Sequence, residues 1–249
     1  MTPTEPQTSG SQPRILAVVL ARGGSKSVPR KNVKLLAGLP MIVYTLHEGL
    51  KSKRITHLVV STDDAEIAEI SKAHGALVPF MRPAELASDT ASSKDCLQHA
   101  VCFMEEREKY RYDYVIELMV TNPLKTVEDI DAVLEKLVRT GADSVISVMQ
   151  LMDHHPARIK KIVDDRIVDF CVPEIPDSRR QDLKPDAFIR NGSIYAMRRD
   201  VLMIQNARYG TADSRPYVMP ESRCVNVDSP IDFLTAEAMM IMQSGGSGR

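Results

Sequence analysis

The sequence predicts an α/β fold in which a mostly parallel sheet lies between layers of helices, and three observations predict it. Short, almost wholly apolar runs recur at residues 15–20, 55–61, 114–119 and 144–149, as expected of strands buried on both faces. Stretches with apolar residues at helical spacing separate them. Strand and helix thus alternate, an order that a three-layer arrangement accommodates.

Taken in order, Ile15 opens the first strand, and a basic loop leaves its carboxyl end at Leu20. Pro40 suits the first turn of a helix whose Ile42, Thr45, Leu46 and Leu50 share one side. Residues 55–61 form the next strand, and Asp63 or Asp64 can cap the helix that carries Ile67, Ile70 and His74 until Gly75 stops it. A further short strand is expected at residues 76–79, then a helix through Leu97, Val101 and Met104, capped by Asp89, Thr90 or Ser92. After the strand at 114–119, Thr126 and Asp129 have capping-box spacing ahead of Ile130, Val133, Leu134 and Leu137. The alternation fails near Met152. Residues 152–190 are rich in His, Pro, Asp and Arg, carry only short β-like pieces at 158–162 and 166–170, and suit an inserted arm that could serve a dimer. Strand character returns at 191–197, and residues 230–242 read as a final helix. One domain over 13–244 is expected, with frayed tails at 1–12 and 245–249 and no internal repeat.

With 43% apolar residues and a formal charge of -1, the chain has the means to bury a large core and gives no general case for nucleic acid. No apolar run reaches the roughly 18 residues of a membrane span, and residues 1–13 lack the order of a secretory signal. Cys96, Cys102, Cys171 and Cys224 are dispersed without a CxxC pair, which favours a reduced, cytoplasmic setting over disulfides or structural zinc. The partner expected on these grounds is a small anion.

The richest chemistry lies in the loop Leu20, Ala21, Arg22, Gly23, Gly24, Ser25, Lys26, Ser27, Val28, Pro29, Arg30, Lys31, Asn32. Its glycines allow close backbone approach, and Arg22, Lys26, Arg30 and Lys31 can surround a polyphosphate. The adjacent glycines match neither the dinucleotide fingerprint nor the GxxxxGK[ST] order. Arg82, Ser88 and Asp89 lie in a polar connection suited to a base or sugar. Asp228 could hold Mg²⁺ against phosphate oxygens, with Asn226 offering a carbonyl or a water contact. Arg179, Arg180 and Gln181 can orient a sugar-acid carboxylate, whereas His154 and His155 have no third ligand at a metal-site spacing. No Ser-His-Asp order marks a covalent triad.

In combination, the loop at 20–32, Arg82 to Ser93, Asp153-His154-His155-Pro156, residues 180–195 and the ending at 228–237 resemble the acylneuraminate cytidylyltransferase family, across about residues 15–242. The resemblance implies a doubly wound, nucleotide-diphospho-sugar transferase-like fold whose arm reaches a second subunit of a homodimer. It implies that Arg22, Ser25 and Lys31 bind CTP, that Arg22 and Lys31 stabilise charge during transfer, and that Arg82 and Ser88 enclose cytidine. The implied reaction is attack of a nonulosonic acid hydroxyl on the α-phosphorus of CTP, assisted by Mg²⁺, with no covalent enzyme intermediate and with the general base left open. Met119, Thr121, Asn122, Arg190 and Asn191 fall on its acceptor-binding segments.

Three departures bear on the acceptor and the metal. Leu118-Met119-Val120-Thr121-Asn122-Pro123-Leu124-Lys125 stands where the family commonly has Leu-Gln-Pro-Thr-Ser-Pro-Leu-Arg, and Met119 lacks the paired donor and acceptor of glutamine. Arg190 is displaced by one position in Phe188-Ile189-Arg190-Asn191, and Asn226-Val227-Asp228 replaces a pair of aspartates. A legionaminic-type acid, another modified nonulosonic acid or an acidic phosphonate therefore fits as acceptor, as does a non-catalytic CTP-binding role.

Overall fold

A computed structural model describes residues 12–25, 27–88 and 90–245. Strand β1 (Ile15–Leu20) alternates its buried side chains between two cores: Ile15, Ala17 and Val19 face one, Leu16 and Val18 the other. A small ribbon of β2 (Leu35–Leu36) and β3 (Leu39–Pro40) follows the basic loop and leads into α1 (Met41–Lys51). Pro40 sits just outside this helix, at its N-cap, one position earlier than expected. Leu46 is buried while Leu50, expected on the same side, is half exposed. Next come β4 (His57–Ser61) and α2 (Ala65–Ala73); Asp64 makes the cap by accepting from the Ile67 amide.

The strand expected at 76–79 is reduced to one bridge between Leu77 and Val59, since Pro79 has no N–H to extend the ladder. Ser92 caps α3 (Ser93–Glu108), which is followed by β5 (Tyr114–Leu118) and α4 (Val127–Thr140). The capping box of Thr126 and Asp129 is present, and Asp129 does more. Fully buried, it accepts from both Arg223 Nε (2.8 Å) and Nη2 (2.7 Å) and from Tyr217 Oη (2.9 Å). Burial alone would raise its carboxyl, but these donors and the Thr126 amide hold it below the ordinary aspartate range.

Strand β6 (Ser144–Leu151) leads to the arm hairpin of β7 (Lys160–Val163) and β8 (Arg166–Asp169), whose first expected piece begins instead as a 3-10 turn at Pro156–Arg158. Strand β9 (Ala187–Arg198) starts inside the segment assigned to the arm, where residues 187–190 already pair with residues 148–151 of β6. Helix α5 (Arg199–Met203), strand β10 (Ser214–Val218) and helix α6 (Pro230–Gly245) complete the chain. Residues 199–218 carry no clear periodic pattern in the sequence, yet they hold both α5 and β10. Of the tails expected to fray, Gln12 donates to Lys53 O and Gly245 ends α6; residues 1–11 and 246–249 lie outside the described residues.

The main sheet has the order β10-β6-β9-β5-β1-β4, and β9 alone runs against the rest. Helices α1, α4 and α6 pack on one face and α3 and α5 on the other, so the doubly wound expectation is met. From β1 the chain goes to β4 on one side and then to β5 on the other. That reversal opens a crevice at the carboxyl end of β1.

Removing the charge of Asp129 strands Arg223 against a buried amide. Asp129→Asn is expected to destabilise the fold by about 3 kcal/mol or more in urea unfolding. Because the folded-state pKa is depressed, the contribution of Asp129 is complete above about pH 4 and is lost as pH falls through the folded value, so the deficit of the variant should shrink in acid.

Candidate active site

The crevice holds two cavities that meet at Leu20, Arg22 and Met119. The first, about 280 Å³, is lined by Arg22, Gly24, Ser25, Lys31, Thr121 and Asp228 among others. The second, about 240 Å³, adds Arg82, Ser88, Ala91, Ser93, Cys96 and Glu117. A larger space of about 500 Å³ near Tyr44 and Met240 has no charged side chain in its wall.

The basic loop is shaped by acids on the neighbouring strand-to-helix turn. Ala21 N still donates to Ser61 O (3.1 Å), continuing the strand ladder, and Gly23 N then donates to Asp63 Oδ1 (3.0 Å). Glycine is needed at 23, because a Cβ there would lie 2.5 Å from Asp64 Oδ2; Gly24 faces open space. Asn32 closes the loop by donating to Arg22 O (2.9 Å), and buried Val28 anchors its tip.

Of the loop cations, Lys31 reaches across to the far wall, where its Nζ donates to Val227 O (2.6 Å) and Asp228 Oδ1 (3.0 Å). Arg30 does not enter the cavity. Its guanidinium binds Asp64, the cap of α2, and Glu66 in its first turn, which raise its pKa above the ordinary value. Lys26 and Asp89 lie outside the described residues.

Arg82 is buried at the second cavity, with Nε donating to Ser61 Oγ (3.0 Å) and Nη2 to Ser61 O; burial pulls its pKa down. Ser88 Oγ lies 3.4 Å from Glu85 O and 3.3 Å from Thr90 Oγ1. Ala91 and Ser93 also reach this cavity, two positions to which the sequence reading gave no ligand role. A run of hydroxyls signals only that one of them caps the helix. In the fold Ser92 is that cap, and the next residue is free to face the cleft. At the floor, Glu117 is fully buried and pairs with Arg208 Nη2 (2.5 Å), whose guanidinium stacks on Tyr195 at 3.9 Å. Burial raises the Glu117 carboxyl and Arg208 opposes that rise. Neither residue was singled out from sequence, where a lone Glu in an apolar strand carries no pattern.

The acceptor-side expectations separate. Met119 and Thr121 line the first cavity, while Asn122 is buried beneath it, its Oδ1 accepting from Leu124 N (3.3 Å). Asn191 turns inward: Ser147 Oγ donates to its Oδ1 (2.6 Å), and its amide faces Met219 Sδ and Cys224 Sγ. Exposed Arg190 stacks on Tyr209 at 4.5 Å. Arg180 and Gln181 stand on the arm, with Arg180 Nη1 3.3 Å from Asp153 Oδ1, and line neither cavity. His155 is a latch, accepting from Ala157 N (3.2 Å) while its Nε2 meets Pro185 O (2.8 Å).

For a cation, Asp228 lines the first cavity, and the exposed Asn226 beside it donates its amide to Asp228. Gly192, at φ +63°, lets Asn226 Oδ1 approach to 3.0 Å of where a Cβ would stand. Among the described residues no group of three or more His, Cys, Asp or Glu could hold a metal alone. One carboxylate and a neutral oxygen beside a phosphate-sized cavity do suit Mg²⁺, which keeps waters and takes the rest of its shell from phosphates.

The model of the cytidylyltransferase family matches residues 16–211. The chain is similar to post-translational flagellin modification protein B of Campylobacter coli, at 32% identity over 91% of this chain and 94% of that protein. It is equally similar to the CMP-N,N'-diacetyllegionaminic acid synthase of Legionella pneumophila, at 32% identity over 91% of this chain and 96% of that one. Its fold matches the structure of CMP:2-keto-3-deoxy-manno-octonic acid synthetase complexed with CTP, with a TM-score of 0.68 and 22% identity over 92% of this chain and 99% of the other.

Proposed function

The chain belongs to the cytidylyltransferase family that contains CMP-nonulosonic acid and N-acylneuraminate synthetases, and on that premise we propose that its cleft joins CTP to a nonulosonic acid. The carrying observation is the junction of the two cavities at Leu20, Arg22 and Met119. The cavity with Arg82, Ala91 and Ser93 suits a pyrimidine, and the cavity with Arg22, Lys31 and Asp228 suits its phosphates. The α-phosphorus then lies near Arg22, which borders both.

The anomeric hydroxyl of the acid forms its bond to the α-phosphorus as it loses its proton, and the bond to the pyrophosphate oxygen breaks. Charge grows on the departing pyrophosphate, and Lys31 and Arg22 are placed to meet it. Mg²⁺, when bound by Asp228 and Asn226, supplies charge neutralisation to the phosphate oxygens. Lys31, whose side chain is only 11% exposed, must then exchange the 60% exposed Asp228 carboxylate for a phosphate oxygen. The likeness to the legionaminic acid synthase supports a legionaminic-type acceptor, and Met119 in the place of a glutamine supports an acceptor that differs from N-acetylneuraminic acid. The arm supports a homodimer: Ile162 and Ile167 face each other across the hairpin, and with Phe170 and Ile175 they leave an apolar surface exposed.

Purified protein with CTP, Mg²⁺ and a panel of nonulosonic acids is expected to yield pyrophosphate and a CMP-sugar. Product from a phosphonate alone would replace the acceptor class, and CTP binding without product would make the chain a sensor. Lys31→Ala should lower kcat/KM about 100-fold while leaving the thermal midpoint nearly unmoved. Asn226→Asp should reduce the Mg²⁺ concentration needed for half-maximal rate, and superimposable titrations would remove position 226 from the metal. In sedimentation, Ile162→Asp with Ile167→Asp should convert a dimer into a monomer, and an unaltered mass would remove the hairpin from the interface.

A further inference from the structure

One buried cation lies outside both cavities. Lys125 follows the turn at the end of β5 and is only 1% exposed. Its ammonium donates to Thr45 Oγ1 on α1 (2.9 Å), to Met119 O (2.7 Å) and to Asn122 O. All three oxygens are neutral, and an ammonium has three protons, so the site is saturated only in the charged state. The carboxylates nearest in effect are committed elsewhere. Glu48 of α1 accepts from Val127 N (2.8 Å) and Lys51, and Asp129 of α4 accepts from Arg223 and Tyr217. A buried charge that spends its bonds on neutral oxygens is costly, and its gain must lie in what those oxygens hold in place.

What they hold is the turn beneath the first cavity. Met119 N is fixed by Ser193 O (2.9 Å), and Asn122 N returns to Met119 O (3.4 Å). Thr121 O accepts from Val227 N (2.7 Å), and Val227 O accepts from Lys31 Nζ (2.6 Å), beside the bond of Lys31 to Asp228. A continuous run of bonds therefore leads from Lys125 through residues 119–122 to both charged groups of the phosphate cavity.

We infer that Lys125 is a positioning residue: its ammonium fixes the 119–122 turn and, through Thr121 and Val227, sets where Lys31 and Asp228 stand. The inference rests on the reading of this cavity as the place of the CTP β- and γ-phosphates. Burial pulls the Lys125 ammonium down to about 7, with Asp129 and Glu48 opposing.

The test compares affinities for CTP and CMP, each with Mg²⁺, by calorimetry. Both nucleotides use the base pocket, whereas CTP alone reaches Lys31 and Asp228 with its outer phosphates. Lys125→Met should weaken CTP by about tenfold and CMP by less than about twofold, with Lys125→Gln between, since its amide can still donate two bonds. Equal loss for both nucleotides, or loss for neither, overturns the inference. If Lys125→Met does not fold, Lys125→Gln decides, and a CTP-over-CMP preference equal to that of the wild type overturns it. A wild type that binds CTP no better than CMP overturns the phosphate-cavity reading itself, whatever the variants do.

Discussion

The double parallel pairing of β1 is the constraint from which the rest follows. Five of its six residues are buried, and β4 and β5 take its backbone bonds on both sides. Such a strand has no solvent face at which to turn, so the chain stays straight until Leu20 and must then emerge between two other strand ends. The basic loop, the Asp63-Asp64 turn after β4 and the Met119 turn after β5 are brought to one rim by that pairing alone. Ligand chemistry gathers there because the strand order reverses there.

At this rim three of the positive side chains are held by partners of different kinds. Arg30 is drawn out of the cavity by the acids at the start of α2, Arg82 is tied to the backbone and hydroxyl of Ser61, and Lys31 rests on the opposite wall. These ties set how far each cation must travel when an anion enters. Arg82 is already buried among neutral oxygens, so it is preorganised; Lys31 has to exchange an exposed carboxylate for a ligand. Beneath them Asp129 and Lys125 place charge in the interior at the two ends of the segment 125–129, one held by Arg223 and Tyr217 and the other by neutral oxygens only.

Much of this was legible in the sequence because it was periodic. The strands that pack on both faces and the helices with clear caps were found nearly at their observed bounds. Strand β10 was not, because Ser214, Arg215 and Pro216 leave it without an apolar run; it sits at the sheet edge, where a missing N–H is tolerated. Within the site, backbone-led features such as the glycine loop could be read, whereas the direction of a side chain could not. Arg30 and Lys31 are neighbours with opposite destinations, and Asn191, near Arg190 in every sequence sense, spends its amide in the core. Glu117 and Lys125 are isolated charges in apolar surroundings, and only the third dimension supplies Arg208 to the one and three oxygens to the other.

Strand β9 joins the arm to the rim, entering the sheet at Ala187 and passing Gly192 beside Asn226 before it ends at Arg198. It is laddered to β5 on one side and β6 on the other, with bonds that lie across its axis. A tug on the hairpin therefore loads this strand in shear, straining many bonds together, instead of peeling them off singly. Whatever grips the arm is anchored mechanically in the centre of the sheet, through the strand that lies between β5 and β6.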